Sequence, residues 1–322
     1  MKKSLVALAA LAVVGAASAQ SSVTLYGRLD LGAAFSKTTQ GPATTKSTSL
    51  AGAQGTRTGG RLGVRGSEDL GGGLKANFNI ETAVNPDRTT SGGFGTFGLT
   101  RTAILQLQGA FSSATIGTYL NTFDDVRGYS VATAGVAGGD FLAGVHGSSA
   151  NRGLGPRSEN SIGYRSPSFG GLDFRIGTTH EKTDINTGVA ATSTVTKTTG
   201  WIGGVGYNNG PVSALLALGQ GKLQAPAAVP ATNAKVNDVA FAVSYNLGVA
   251  VPYFQFENSK LKNNLVAGQE VKSRSWELGS KFPMGAFTPY VTVSGRQDQN
   301  DACCWRGRNL GQIPWFPTQY HL

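Results

Sequence analysis

The sequence predicts an all-β protein, a transmembrane antiparallel β-barrel around a polar interior, and three observations predict it. From residue 23 the dominant hydrophobic period is two, and successive strand side chains point to opposite faces. Many of the periodic runs are about 9–11 residues long, the length a tilted strand needs to cross a bilayer. Connectors between them alternate strictly between short and long. A soluble sandwich also alternates in pattern, with its apolar face turned inward, but it has no reason to keep that asymmetry of connectors. Short turns at one end and long loops at the other describe an outer-membrane barrel.

Residues 1–19 read as a signal peptide. Lys2 and Lys3 form a basic start, Leu5 to Ala17 is an apolar stretch too short to span a membrane, and Ala17-Ser18-Ala19 is a cleavage site. The mature chain is expected to start at Gln20. No run of 18 apolar residues follows Ala19, so no transmembrane helix is expected. Residues 20–296 are assigned to the barrel.

The first run is Val23-Thr24-Leu25-Tyr26-Gly27-Arg28-Leu29-Asp30-Leu31, with Val23, Leu25, Leu29 and Leu31 on one face and Thr24, Tyr26, Arg28 and Asp30 on the other. Leu74, Ala76, Phe78 and Ile80 repeat the pattern opposite Lys75, Asn77, Asn79 and Glu81. Leu172, Phe174 and Ile176 oppose Asp173, Arg175 and Gly177, and Val239, Phe241, Val243 and Tyr245 oppose Asp238, Ala240, Ala242 and Ser244. Strands are expected near 23–35, 59–67, 73–83, 99–108, 113–121, 158–166, 170–180, 198–207, 211–221, 236–246, 249–259, 271–281 and 286–296. Short turns fall at places such as Ser67–Gly72, Gly109–Ser112 and Asn208–Gly210, and long loops at 36–58, 84–98, 122–157, 181–197, 222–235 and 260–270.

Composition agrees. Gly, at 46 of 322 residues, is used roughly twice as often as usual, while charged residues are only 14% and hydrophobic ones 40%. The glycines have no triplet period, so collagen is excluded, and 9% aromatics argue against simple disorder. The only cysteines are the vicinal pair Cys303-Cys304, which cannot staple distant elements. An exported chain without a disulfide framework must draw its stability from a large packed or closed structure.

Several separated motifs resemble one family. Val23 to Asp30 is similar to the opening strand of the general bacterial porins. Arg61-Leu62-Gly63-Val64-Arg65-Gly66-Ser67-Glu68-Asp69-Leu70-Gly71-Gly72-Gly73-Leu74-Lys75-Ala76 resembles their strand–turn–strand signature, and Asn160-Ser161-Ile162-Gly163-Tyr164-Arg165-Ser166 the strand after their constriction loop. The type resembled is the β-proteobacterial one (Bordetella-, Burkholderia- or Comamonas-like), and the resemblance covers roughly residues 1–296. It implies a sixteen-stranded, homotrimeric, water-filled channel of the Gram-negative outer membrane that passes ions and small hydrophilic solutes passively. The implied partners are outer-membrane lipid and lipopolysaccharide, the permeating solutes and further copies of itself, and no cofactor is implied.

Residues 297–322 depart from the pattern. They hold both cysteines, two of the four tryptophans and two prolines, Pro314 and Pro317, which would spoil a paired strand. Thirteen strands precede this tail, whereas single-chain bacterial barrels use an even number. Two alternatives are open: a truncated or frame-shifted product, or an authentic divergent tail.

By parity, the inward bases are Arg28, Arg61, Arg65, Lys75, Arg157, Arg165, Arg175 and Lys281, and the inward acids Asp30, Glu81, Glu159, Asp173, Asp238, Glu257 and Glu277. That near balance leaves ion selectivity to position, because charges at the narrowest point act where low-dielectric walls focus the field. Residues 122–157, rich in Gly and Ala, are the longest loop of the regular part. The resemblance implies that this loop folds into the lumen and forms the constriction, with Asp124, Asp125 and Asp140 as its acids and Arg127 and Arg152 as its bases. It further implies a basic wall opposite, made by Arg61, Arg101 and Arg157 with Arg28 beside them, and hence an anion preference. Arg101 shares parity with Ala103, Leu105 and Leu107 and faces inward only if a bulge rotates it. Tyr26, Tyr164, Tyr207, Tyr245, Trp201 and Trp276 are candidates for interfacial girdles, or simply for aromatic strand preference.

Other functions find little support. His146, His180 and His321 are the only imidazoles, and the sequence has no metal-ligand spacing, no nucleophile elbow and no Walker lysine. No enzyme, metal or cofactor is expected. Nucleic-acid binding fails because the bases of this +10 chain are dispersed by strand parity. A non-conducting barrel acting as adhesin or receptor is the alternative function, together with a non-functional truncated product.

Overall fold

The computed structural model describes residues 22–29, 33–40, 43–50, 60–84, 100–130, 157–185, 194–225, 232–263, 270–285 and 287–300. Among the described residues fifteen strands occur in this order: β1 (Ser22–Arg28), β2 (Ala33–Gln40), β3 (Ala43–Leu50), β4 (Gly60–Gly71), β5 (Leu74–Val84), β6 (Thr100–Gly109), β7 (Ser112–Leu120), β8 (Arg157–Arg165), β9 (Leu172–Ile185), β10 (Thr194–Asn209), β11 (Val212–Ala225), β12 (Thr232–Tyr245), β13 (Val251–Asn263), β14 (Glu270–Lys281) and β15 (Tyr290–Asn300). Thirteen of them form one sheet in the order β1-β4-β5 and then consecutively to β15, every pairing antiparallel. β1 and β15 are the two ends of this ladder among the described residues.

All thirteen strands expected from the sequence are present, with shifted ends. The expected run 23–35 pairs with β4 only as far as Arg28, and β2 and β3 form a separate hairpin where a continuous loop was expected. β9 to β13 are 13–16 residues long and extend into the expected loops, so that Ile185 pairs with Thr194 and Ala225 with Thr232. β15 pairs out to Asn300, four residues beyond the expected barrel boundary at 296. Residues 1–21 and 301–322, which include the signal-peptide and most of the tail assignments, lie outside the described residues.

The connections after β4, β6 and β10 are tight turns and those after β5 and β7 are long, whereas those after β8, β9, β11, β12, β13 and β14 are all of similar, moderate length, so the strict short–long alternation expected from the sequence holds only in the first half of the sheet. The β4–β5 turn shows why glycine is used there. Gly71, Gly72 and Gly73 have φ of 81°, 61° and 82°, the left-handed region that side chains avoid, and the Asp69 carboxylate accepts the Gly71 N–H at 2.9 Å.

The two faces of the sheet are chemically distinct. Phe174, Val205, Leu216, Phe241, Phe256 and Trp276 are successive cross-strand partners from β9 to β14 and make an unbroken apolar row. Val23, Leu25, Ile80, Leu105, Ile116, Ile162 and Ile176 continue the exposed apolar surface on the other strands. An exposed apolar surface of this extent marks contact with lipid or another protein, and a continuous outward row is what the apolar band of a membrane barrel requires. The opposite face carries the buried acids and packs a short helix. Tyr164, Tyr245, Trp201 and Trp276 are exposed with the apolar set, and Tyr207 shares the face of Val205. Tyr26 does not belong with them: its hydroxyl lies 2.8 Å from Asn79 Oδ1 and 3.1 Å from Glu81 Oε2, on the polar face.

Candidate functional site: an arginine cluster facing a lumen helix

After β7 the chain turns into the polar side of the sheet as a six-residue helix, α1 (Thr122–Arg127). Asn121 caps it, its side chain accepting the Phe123 N–H at 3.0 Å, and Asp124 and Asp125 in the first turn suit the positive end of the helix dipole. Isolated, so short a helix would not hold. Phe123 and Val126, at most 1% exposed, dock it on Ile202, Leu215, Ala217, Ala240 and Ala242 of β10 to β12. Gly204 is part of this seat, since a Cβ there would run into the Thr122 side chain and the Leu216 carbonyl. Sequence inspection missed α1 because six residues are too few to show a helical period.

Polar contacts hold the same segment. Asp125 bridges to Arg175 Nη1 at 2.5 Å, and Arg175 Nε to Asp173 at 2.7 Å, while Arg165 reaches Asp173 at 3.2 Å. Farther along, Tyr129 shares a hydrogen bond of 2.7 Å with Ser213, and Ser130 donates to Glu277 at 2.5 Å. Cavities open on both sides of α1. One of about 260 Å³ lies toward β6 to β10, with Gln106, Thr115, Asp125 and Arg175 among its walls. The other, of about 420 Å³, lies toward β11 to β14, with Asp124, Tyr129, Tyr253 and Lys281.

The basic residues expected to form a wall converge. Arg28 and Arg61 are cross-strand partners on β1 and β4. Glu81 on β5, 7% exposed, is approached by Arg61 Nη1 at 3.5 Å and Arg101 Nε at 2.8 Å. The β5–β6 register shifts here, Glu81 pairing with Thr102 but Thr82 with Thr100, so Arg101 is the extra residue of a bulge. This is the device that simple parity lacked: the bulge turns Arg101 to the Glu81 side. Arg157 Nε donates to the Arg101 carbonyl at 2.9 Å. Its place does not come from regular alternation, because the β7–β8 register also shifts and Asn160 has φ of 47°.

Asp124 is bridged to Arg127 one turn on, at 2.7 Å, and Asp125 to Arg175. Asp140 and Arg152 lie outside the described residues. The near balance of inward charges is also broken by burial. Asp173, Asp238, Glu257 and Glu277 are 0–5% exposed, with Ser259 donating to Asp238 and Tyr253 to Glu277. Arg28, Arg65, Lys75 and Arg165 are exposed. Water in the lumen therefore meets more of the bases than of the acids. Asp125 is the loop acid that retains substantial exposure, about half of its side chain. Desolvation by the surrounding wall raises its carboxyl above the ordinary range, against the opposing pull of Arg175.

A sheet with a lipid-type apolar face, a charged inner face and a helix laid across that inner face is the architecture of a membrane channel. The profile of the Gram-negative porin family matches residues 5–309, and the chain belongs to that family. Outer membrane porin protein 32 of Delftia acidovorans is 37% identical over 292 residues, covering 88% of this chain and 77% of that protein. An outer membrane porin protein of Bordetella pertussis is 32% identical over 237 residues, covering 68% of this chain and 60% of that one. Among solved structures, an anion-selective porin from Comamonas acidovorans superposes with a TM-score of 0.69 at 29% identity, over 87% of this chain and 80% of that chain. The β-proteobacterial type resembled by the sequence motifs is therefore the type found. The protein is an outer-membrane diffusion channel rather than an enzyme.

Proposed function

We propose that the channel prefers anions, and that Arg28, Arg61, Arg101, Arg127 and Arg157 set that preference at a constriction bordered by α1. The observation that carries this is the excess of base in the cluster: five guanidiniums gather with two carboxylates, Glu81 and Asp124. One uncompensated charge about 5 Å from a permeating ion is worth about 0.8 kcal/mol even at the dielectric of water. That is roughly a fourfold enrichment of anions, and cations are depleted correspondingly. Guanidinium forks also replace part of an anion's hydration shell as it passes. Asp124 and Asp125 act by holding the loop in place through their arginine partners, and Asp140 belongs to the same segment.

The same proposal makes the assembly a homotrimer in contact with outer-membrane lipid and lipopolysaccharide, passing small hydrophilic solutes. Residues 1–19 are removed on export. Reversal potentials across a planar bilayer in a salt gradient test the selectivity, and a cation preference would overturn it. Unheated gel migration of the outer-membrane fraction tests the assembly: a trimer migrates as a species that collapses to the monomer on boiling.

A further inference from the structure

One row of the inner face has no side chains in its middle. Asn77, Gln106, Thr115, Gly163, Gly177 and Ile202 are successive cross-strand partners from β5 to β10. Three polar side chains therefore stand beside two bare glycines, and Ile202 closes the row beneath α1. The Tyr119 ring uses the bare stretch, its hydroxyl end lying where a Cβ of Gly163 or of Gly177 would stand. That hydroxyl is shut off from solvent and has no hydrogen-bond partner among the described residues. Packing on the glycines holds the ring, and its aromatic body forms a platform on β8 and β9.

Tyr119 is a wall of the cavity of about 260 Å³ beside α1, and Gln106, Thr115 and Asp125 border the same space. Asn77 donates to Gln106 Oε1 at 3.4 Å and Gln106 Nε2 donates to Thr115 Oγ1 at 3.0 Å, which fixes the amide. The second Gln106 N–H and the Thr115 hydroxyl proton are left to donate to a ligand. Asp125 takes the Arg175 bond on Oδ2, and its Oδ1 is left to accept. The charges of the cavity are closed on themselves: Arg165, Asp173, Arg175 and Asp125 form a chain of two cations and two anions joined at 3.2, 2.7 and 2.5 Å. A passing ion meets no net charge in that chain. A hydroxylated ring meets donors from β6 and β7, an acceptor from α1 and an aromatic face for its C–H bonds.

We propose that this cavity is a subsite for an uncharged single-ring sugar, which lies on Tyr119 with its hydroxyls bonded to Gln106, Thr115 and Asp125. The inference rests on the chain being a channel for hydrophilic solutes but not on its ion preference. The cavity is at the small end of ligand sites and takes one ring. Binding is weak, with half-saturation in the millimolar range, because a channel must release what it holds.

The test reads equilibrium binding of glucose to the purified full chain in detergent, by saturation-transfer-difference NMR. The parent signal should saturate in the millimolar range. Gln106→Ala/Thr115→Val and Tyr119→Leu should each raise the half-saturation concentration roughly tenfold, through the loss of two hydrogen bonds or of the stacked face. Tyr119→Phe keeps the ring and loses only the unpaired hydroxyl, so it should bind like the parent. A folded parent without a saturable glucose signal would overturn the proposal, as would equal binding by Gln106→Ala/Thr115→Val. Equal binding of sorbitol, which has the hydroxyls without the ring, would also overturn it, and displacement of glucose by acetate would show an anion site instead. Heat-modified migration and reversal potential of Gln106→Ala/Thr115→Val should match the parent. A parent that binds glucose yet prefers cations would overturn the ion preference alone.

Discussion

Glu81 is the carboxylate around which Arg61, Arg101 and Tyr26 are arranged, and replacing it separates stability from selectivity. Glu81→Gln removes a negative charge from the arginine cluster, so anion preference should rise in reversal-potential measurements. The same change removes charge-assisted hydrogen bonds worth about 1.5–3 kcal/mol, so the heat-modified gel transition should fall to a lower temperature. Asp125 gives a pH signature. Burial raises its carboxyl, so it protonates before an ordinary aspartate does as the medium is acidified. Its protonation removes a negative charge beside the lumen, so anion preference should increase as pH falls below neutrality. Asp125→Asn should lack this step, and a parent channel whose selectivity moves toward cations on acidification would contradict the assignment. At this scale the sequence was legible for Arg28 and Arg61, whose strands alternate regularly. It was illegible for Arg101, because a bulge is a mismatch between two strands and neither strand shows it alone. Tyr26 was read two ways, and its ring on Gly63 with its hydroxyl on Glu81 decides for the polar face.

At the scale of elements, the strands were readable because each needs one apolar and one polar face. β2 and β3 were not: Thr, Ser and Lys occur at odd and even positions alike in their sequences, so they carry no period. α1 was hidden for a different reason, since its stability is tertiary. Phe123 supplies the largest side chain of its seat, and Phe123→Ala should cost about 3–5 kcal/mol of packing. Because that packing holds α1 to β10–β12, open-channel current noise should grow while the barrel's heat-modified migration is kept. A quiet, unchanged current would show that α1 does not border the ion path.

On the scale of the whole molecule, one sheet presents an apolar row to lipid and buries Glu81, Asp173, Asp238, Glu257 and Glu277 on the inner face, while several of its bases reach water. The thirteen strands of the sheet and the family were visible in the sequence, while the lengths of β9 to β13, which run on through the expected loops, were not. The imbalance between buried acids and exposed bases was not, since parity assigns a face but says nothing of what packs on it. The central claim, that clustered arginines make the channel anion-preferring, is tested most directly by reversal potentials in a potassium chloride gradient for the parent and for Arg28→Gln/Arg157→Gln, which leaves the Arg61 and Arg101 bridges to Glu81 in place. The parent should favour chloride, and the double variant should lose several-fold of that preference, each charge counting for about 0.8 kcal/mol. A parent channel that favours potassium, or a variant with unaltered reversal potential, would contradict the account.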